Sequence, residues 1–505
     1  MNQDVVASAR RAFASTGPAV TLGAVVHEGE CHSEPLLRIA LPMMNRHGLI
    51  AGATGTGKTR SLQLIAEQLS AQGVPVFVSD IKGDLSGLGA PGEGNDRVMQ
   101  RARDTGRPWN PASCPVEFLS LTGEKGAQLR ATVSSFGPQL LAKVLDLNET
   151  QTSVLALVFK YCDDKGLLLL DLSDLRAVLQ YLTGDGAAEL KNYGGMSKQS
   201  VGVLLREMVE LEQQGAEKFF GEPAFDLDDL LQVERDGRGL VSVLELSDVQ
   251  QRPALFSTFM LWMLASLYEE LPEVGDLEKP KLVFFFDEAH LLFNDASKAL
   301  LAQIEQVVRL IRSKGVGVFF ITQSPKDVPE SVLAQLGHRV QHALRAFTPD
   351  DEKALRAAAR TYPKTTHYDV QATLTALGTG EALVTTLAPN GTPTEPFVSR
   401  MIAPQSRMSP LTDAEMAQRL ATPQVRKYSN AIDRESAREM LAARVSTATG
   451  PAGAAAGSGV GGALSEMLNS SVGKSVLRTA AVAVTGTLVR GILGQLLGTG
   501  RKRRK

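Results

Sequence analysis

The stretch Gly52-Ala53-Thr54-Gly55-Thr56-Gly57-Lys58-Thr59 follows the short apolar run Gly48–Ala51 and opens an amphipathic segment. It fits G-x-x-x-x-G-K-[ST] at every fixed position, in the strand-to-helix context that the motif requires. Gly52, Gly55 and Gly57 permit a tight wrap that a Cβ would block, so successive N–H groups converge on one point. The helix beginning near Lys58 adds the positive end of its dipole. Such a cradle takes phosphate. Lys58 is placed for the β- and γ-phosphates of a triphosphate, and the Thr59 hydroxyl for Mg²⁺. The nucleotide-binding segment is therefore read as Gly52, Ala53, Thr54, Gly55, Thr56, Gly57, Lys58, Thr59 and Arg60, with ATP and Mg²⁺ as its ligands. A strand–loop–helix unit of this kind commits the surrounding chain to an α/β sheet.

The strand–loop–helix rhythm repeats. Residues 48–51, 74–79, 116–121, 240–246, 282–286 and 316–322 are short and almost wholly apolar. Strands buried on both faces of a parallel sheet have that form. Leu62, Ile65, Ala66 and Leu69 fall at i, i+3, i+4 and i+7, marking a helix, and the pattern recurs over 300–311. The fold class implied is α/β, a mostly parallel doubly wound sheet flanked by helices. Residues 1–45 form a lead-in with expected strands at 19–26 and 36–40. The core then runs over 46–135 and resumes over 236–403, with further strands at 338–344, 381–387 and 396–401. Between these parts, 136–235 is read as an all-helical insertion, with helical patterns at 136–145, 149–161, 171–182 and 197–214. Residues 404–449 are helix-prone. Residues 450–463, almost all Gly, Ala and Ser, read as a flexible linker, and 464–505 as an amphipathic helix with a basic end.

A second motif matches the first. In KLVFFFDEAH, residues 281–290, an apolar strand delivers Asp287 to the C-terminal edge of the sheet, where ligands bind in such folds. Asp287 is assigned to the Mg²⁺ shell. Glu288 then faces the γ-phosphate, where a carboxylate polarises the attacking water. His290 is read either as a polar residue behind the site or as a coupling residue. Gln323 ends the strand of GVGVFFITQSP, a position that touches the γ-phosphate in sheets of this type. Asp80, in SDIKGD, lies at the same edge and is expected to orient water or the Mg²⁺ ligands, with Lys82 and Asp84 as loop residues. Arg309 and Arg312 close the helix after the Asp287 strand. They either complement its dipole or reach a neighbouring subunit's nucleotide.

GATGTGKT, SDIKGD, FFFDEAH and RSKGVGVFFITQSP, in that order, resemble the HerA–FtsK branch of P-loop motor ATPases. The phrase GLIAGATGTGKT and the long helical stretch before FFFDEAH are most similar to the bacterial HerA-like NTPases of the YjgR type. The resemblance extends over about 19–402. It implies a RecA-like core, a ring that is usually a hexamer, and ATP sites between subunits. It makes Lys58, Thr59, Asp287 and Glu288 the hydrolytic residues, Gln323 a sensor and Arg312 the arginine acting in trans. It also implies a DNA translocase or helicase, with a ring ATPase acting on protein or membrane as the alternative.

Charge bears on that choice. The 505 residues carry a net −2, but eight basic side chains against Glu466 give residues 460–505 a charge of +7, leaving −9 for the rest. An acidic body with a basic tail is not the footprint of a protein coated in nucleic acid, although it leaves room for a basic pore. The stripe Leu488, Val489, Ile492, Leu493 and Leu496 and the run Arg501, Lys502, Arg503, Arg504 and Lys505 suit an oligomerisation helix with a solubilising end. They equally suit contact with an anionic membrane or with DNA. Cys31, Cys114 and Cys162 are far apart and odd in number, so neither a disulfide nor a structural metal is expected. With no apolar signal core and no strongly apolar, uncharged run of about 18 residues, the expected location is the cytoplasm.

Overall fold

The computed structural model describes residues 2–14, 17–248, 252–275, 277–294 and 298–448. The expected linker 450–463 and amphipathic tail 464–505 lie outside them. The described chain divides into two compact units, one of residues up to Leu129 together with Phe225–Asn430, the other of Arg130–Ala224 and 431–448.

The first unit carries the sheet. Its strands are β1 (Ala19–His27), β2 (Glu30–Ala40), β3 (Gly48–Ala51), β4 (Val76–Asp80), β5 (Val116–Ser120), β6 (Ala127–Gln128), β7 (Val241–Glu245), β8 (Leu282–Phe286), β9 (Val316–Thr322), β10 (His338–Gln341), β11 (Glu381–Thr385) and β12 (Phe397–Met401). These twelve, among the described residues, form one sheet in the order β2-β1-β12-β11-β10-β3-β9-β8-β4-β7-β5-β6. From β10 to β6 every pairing is parallel. From β2 to β10 every pairing is antiparallel.

The two halves follow from burial. In β3, β4, β7, β8 and β9 every residue is buried. Phe285 stacks on Phe319 at 5.3 Å and Phe286 on Phe320 at 5.5 Å, so neighbouring strands interlock through aromatic pairs on both faces. Such strands must be covered above and below, which parallel crossovers with helices provide. The lead-in β1–β2 hairpin instead extends the sheet at its edge, and β2 begins at Glu30, earlier than residue 36 where its apolar run starts. Its first half is polar and largely exposed, as an edge strand with a partner on one side tolerates. On the sequence β10 was expected to reach residue 344. It stops at Gln341, where the chain turns so that the His342 N–H meets Ala51 O and the Leu344 N–H meets Leu374 O.

The second unit is helical. Its helices include Val133–Val144, Glu149–Lys165, Leu172–Thr183, Lys198–Gln213 and Ala437–Ala448. Asn148 and Asp171 close capping boxes at two N-termini, satisfying N–H groups that a helix leaves open. Val133–Val144 is broken at Gly137 (φ 68°), just before Pro138. Leu155, Val158, Leu175, Val178, Leu179, Leu204 and Met208 are fully or almost fully buried. No helix among the described residues is long and apolar enough to cross a membrane.

Candidate active site

Parallel register brings four loops to one edge. Ala51 pairs with Thr322, Phe286 with Phe320, and Ser79 with Phe286. The segments that follow β3, β9, β8 and β4 therefore emerge side by side. They carry the glycine-rich loop, Gln323, the Asp287–Glu288 pair and the SDIKGD turn.

The glycine-rich loop spans Gly52 to Gly57 between β3 and the helix Lys58–Ala71. Gly52 has φ +151°, and a Cβ there would meet His342 Cβ at 2.6 Å. Gly57 has φ +120° and lies against Gly380 and His342, so only glycine satisfies both backbone and neighbours. The loop is braced from beneath. Ala53 N–H donates to Ala343 O at 2.8 Å, and Gly380 N–H donates to Thr56 O at 2.8 Å. His342 bridges Ser61 Oγ and Glu381 O, both at 2.8 Å, and burial pushes its pKa down to about 4, so it stands neutral. Sequence reading missed His342, because nothing in a histidine after a strand shows which loop the sheet will stack above it.

Lys58 is buried, and its ammonium donates to Ala53 O at 3.2 Å, folding back over its own loop. Burial lowers its pKa, opposed chiefly by Glu288. Arg60, on the same helix, pairs with Gln63 Oε1 at 2.6 Å. Asp287 is buried, with Oδ1 accepting from the Glu288 N–H at 2.9 Å and Oδ2 without a partner. Burial first, and then the Glu288 charge, push Asp287 up to about 7. An orphaned carboxylate oxygen of this kind costs free energy unless a cation uses it. Facing a phosphate cradle, it fits Mg²⁺, which is commonly held by one or two carboxylates plus substrate phosphates. Glu288 has φ +47°, a conformation rare for a residue with a Cβ.

Gln323 is exposed and lines a cavity of about 610 Å³ with Ala53, Thr54 and His290. His290 Nδ1 lies 3.3 Å from Glu288 Oε2. Arg309 and Arg312 are exposed at the opposite edge of the sheet. With Arg46 and Arg339 they line a second cavity, of about 580 Å³.

The turn after β4 departs from expectation. Asp80 is not turned to the site: Oδ1 accepts from the N–H groups of Gly83 (2.8 Å) and Asp84 (3.2 Å), and Oδ2 from that of Leu85 (2.8 Å). It fixes the turn. Lys82 is more than a loop residue, because its ammonium forms an ion pair with Glu288 Oε1.

The family described as Helicase HerA-like C-terminal matches residues 27–504. A DNA double-strand break repair helicase HerA from Sulfurisphaera tokodaii is 22% identical over 374 residues, 70% of this chain and 64% of the relative. A probable helicase from Methanocaldococcus jannaschii is 29% identical over 154 residues, 28% of each chain. The chain thus spans less than two thirds of these relatives. Among solved structures, the bacterial conjugative coupling protein TrwB in complex with sulphate aligns with a TM-score of 0.51 at 16% identity, over 80% of this chain and 93% of that one. TrwB with ADP and Mg²⁺ aligns at 0.50 and 15%, over 80% and 94%. At such identities the likeness is one of fold, a RecA-like P-loop core.

Proposed function

The chain belongs to the helicase HerA-like C-terminal family of P-loop ATPases, and on that premise we propose that it is an oligomeric ATP-driven motor acting on DNA. The observation that carries this reading is the gathering of the glycine-rich loop, Asp287, Glu288 and Gln323 at one sheet edge. Lys58 and the loop N–H groups bind the β- and γ-phosphates. Asp287 and Thr59 would hold Mg²⁺, which when bound would neutralise phosphate charge. Glu288 takes the proton of a water whose oxygen bonds to the γ-phosphorus, as the bond from that phosphorus to the bridging oxygen breaks and ADP leaves. Gln323, in the cavity beside Thr54, is positioned to sense whether the γ-phosphate is present. The named relatives are helicases, which supports DNA as the substrate. The test is the ATPase rate of purified protein with and without single- and double-stranded DNA. We expect several-fold stimulation by at least one form. A rate indifferent to both favours the second reading, a motor on protein or membrane, which the net −9 of residues 1–459 supports.

Assembly follows from the arginines. Arg312 lies at the edge of the sheet opposite Glu288, badly placed for its own γ-phosphate but well placed for that of a neighbour packed head to tail. A guanidinium supplied in trans is worth roughly 10³-fold or more in rate. Arg312→Ala should therefore lose about that factor in kcat and retain nucleotide affinity. Arg309, lining the same cavity, is the control. Mixing Arg312→Ala with Lys58→Ala should restore part of the activity, since a mixed interface joins an intact loop to an intact arginine. No recovery at any ratio, with subunit exchange verified by tagged protein, or a fully active monomer, excludes the trans role.

A further inference from the structure

The residue that the hydrolytic reading leaves unused is Lys82. β4 lies beside β8, with Ser79 level with Phe286, so Asp80 and Asp287 leave the sheet together. Asp80 accepts three backbone N–H groups of the turn that follows. That clamp fixes the turn and delivers Lys82 over Glu288. The Lys82 ammonium is bonded to Glu288 Oε1, while Glu288 Oε2 faces His290 Nδ1 at 3.3 Å. One oxygen of the expected base is thus held by an ammonium, while the buried Oε2 has no hydrogen-bond partner. A carboxylate tied by one oxygen to the turn after β4 is held in place, and a base must be free to come within hydrogen-bond reach of the proton it takes. Glu288 as it stands is restrained.

The restraint is built to be released. Glu288 is almost fully buried, but the Lys82 side chain is 45% exposed, so only the lysine has room to move. Lys82 lies close enough to Lys58 and Asp287 to shift the charge balance of both. The ground between the loop and the Asp287 carboxylate therefore lies within the field of this ammonium. An ammonium is a compact charge with three donors on a flexible stem, suited to exchanging one oxyanion for another. The oxyanion that competes best with a carboxylate there is a phosphate. A ligand shifts an equilibrium only by its difference in affinity for the two states. Only a triphosphate extends a third phosphate to this position, so the diphosphate leaves the pair intact.

Building on the ATPase reading, we propose that Lys82 is a γ-phosphate-operated latch: it holds Glu288 out of action until a nucleoside triphosphate draws its ammonium onto the γ-phosphate, freeing the carboxylate for water. Lys82 is then a positioning residue for Glu288 in the resting state and a phosphate ligand in the loaded one. The device makes hydrolysis conditional on a seated triphosphate.

The test measures nucleotide discrimination as well as turnover. Dissociation constants for MgADP and for Mg²⁺ with a non-hydrolysable ATP analogue are determined on the full chain, for wild type, Lys82→Met, Lys82→Arg and Glu288→Gln. Circular dichroism verifies the fold of each. Lys82→Met should keep MgADP affinity within about twofold and weaken the analogue roughly tenfold, a difference of about 1.4 kcal/mol. Its kcat should fall by about 10²-fold. Lys82→Arg should recover much of the analogue affinity. Glu288→Gln, which unties the latch, should tighten the analogue several-fold and leave MgADP unchanged. Equal changes for both nucleotides, or no change in either with kcat at the wild-type level, would overturn the latch. A wild-type protein that binds neither nucleotide overturns the ATPase reading instead.

Discussion

Lys58→Ala should yield a folded protein whose ATP turnover falls by at least about 10³-fold, some 4 kcal/mol of lost transition-state stabilisation. The size of the effect follows from the surroundings of the ammonium. It is buried, and it donates to the carbonyl of Ala53, in its own loop. Burial lowers its pKa by stripping water from the charge, so a phosphate oxygen that replaces the carbonyl gains a poorly hydrated donor. In a low-dielectric pocket that exchange is worth more than the same contact in water. The fold should persist, because the loop is braced independently through Ala343 and Gly380. Phosphate release and the thermal midpoint are the two measurements. More than roughly 1% of wild-type kcat in a variant of unchanged midpoint defeats the assignment of Lys58.

Glu288→Gln should bind MgATP and hydrolyse it up to about 10⁴-fold more slowly. The amide keeps the shape and volume of the side chain. It loses the basic oxygen and the charge that pairs with Lys82. The positive φ at this residue gives the substitution a second use. Glutamine bears that backbone conformation at much the same cost as glutamate, so stability should change little. Filter binding of labelled ATP together with single-turnover hydrolysis separates the possibilities. Loss of nucleotide binding would make Glu288 a structural residue, and near-normal hydrolysis would place the base elsewhere.

The strands beside the site were legible because burial on both faces leaves an unbroken apolar signature. Gly48–Ala51, Leu282–Phe286 and Val316–Thr322 can be read residue for residue. The polar half of β2 was not legible, since an edge strand obeys no such rule. Nor does composition show that 431–448 joins the helical unit while 404–430 belongs with the sheet, because membership depends on contacts remote in sequence.

For the site the division is similar. The sequence alone determined the phosphate loop and the DE pair, because backbone approach to phosphate demands glycine and a buried strand end demands a reason for two carboxylates. Only the tertiary structure decided what surrounds them. Asp80 turned out to clamp its own turn, Lys82 to hold Glu288, and His342 to stand beneath Gly52 and Gly57. Those roles arise from strand order: β4 next to β8, and β10 next to β3. Neighbours in a sheet are chosen by the packing of whole faces, and a local motif carries no record of which strand will lie beside it.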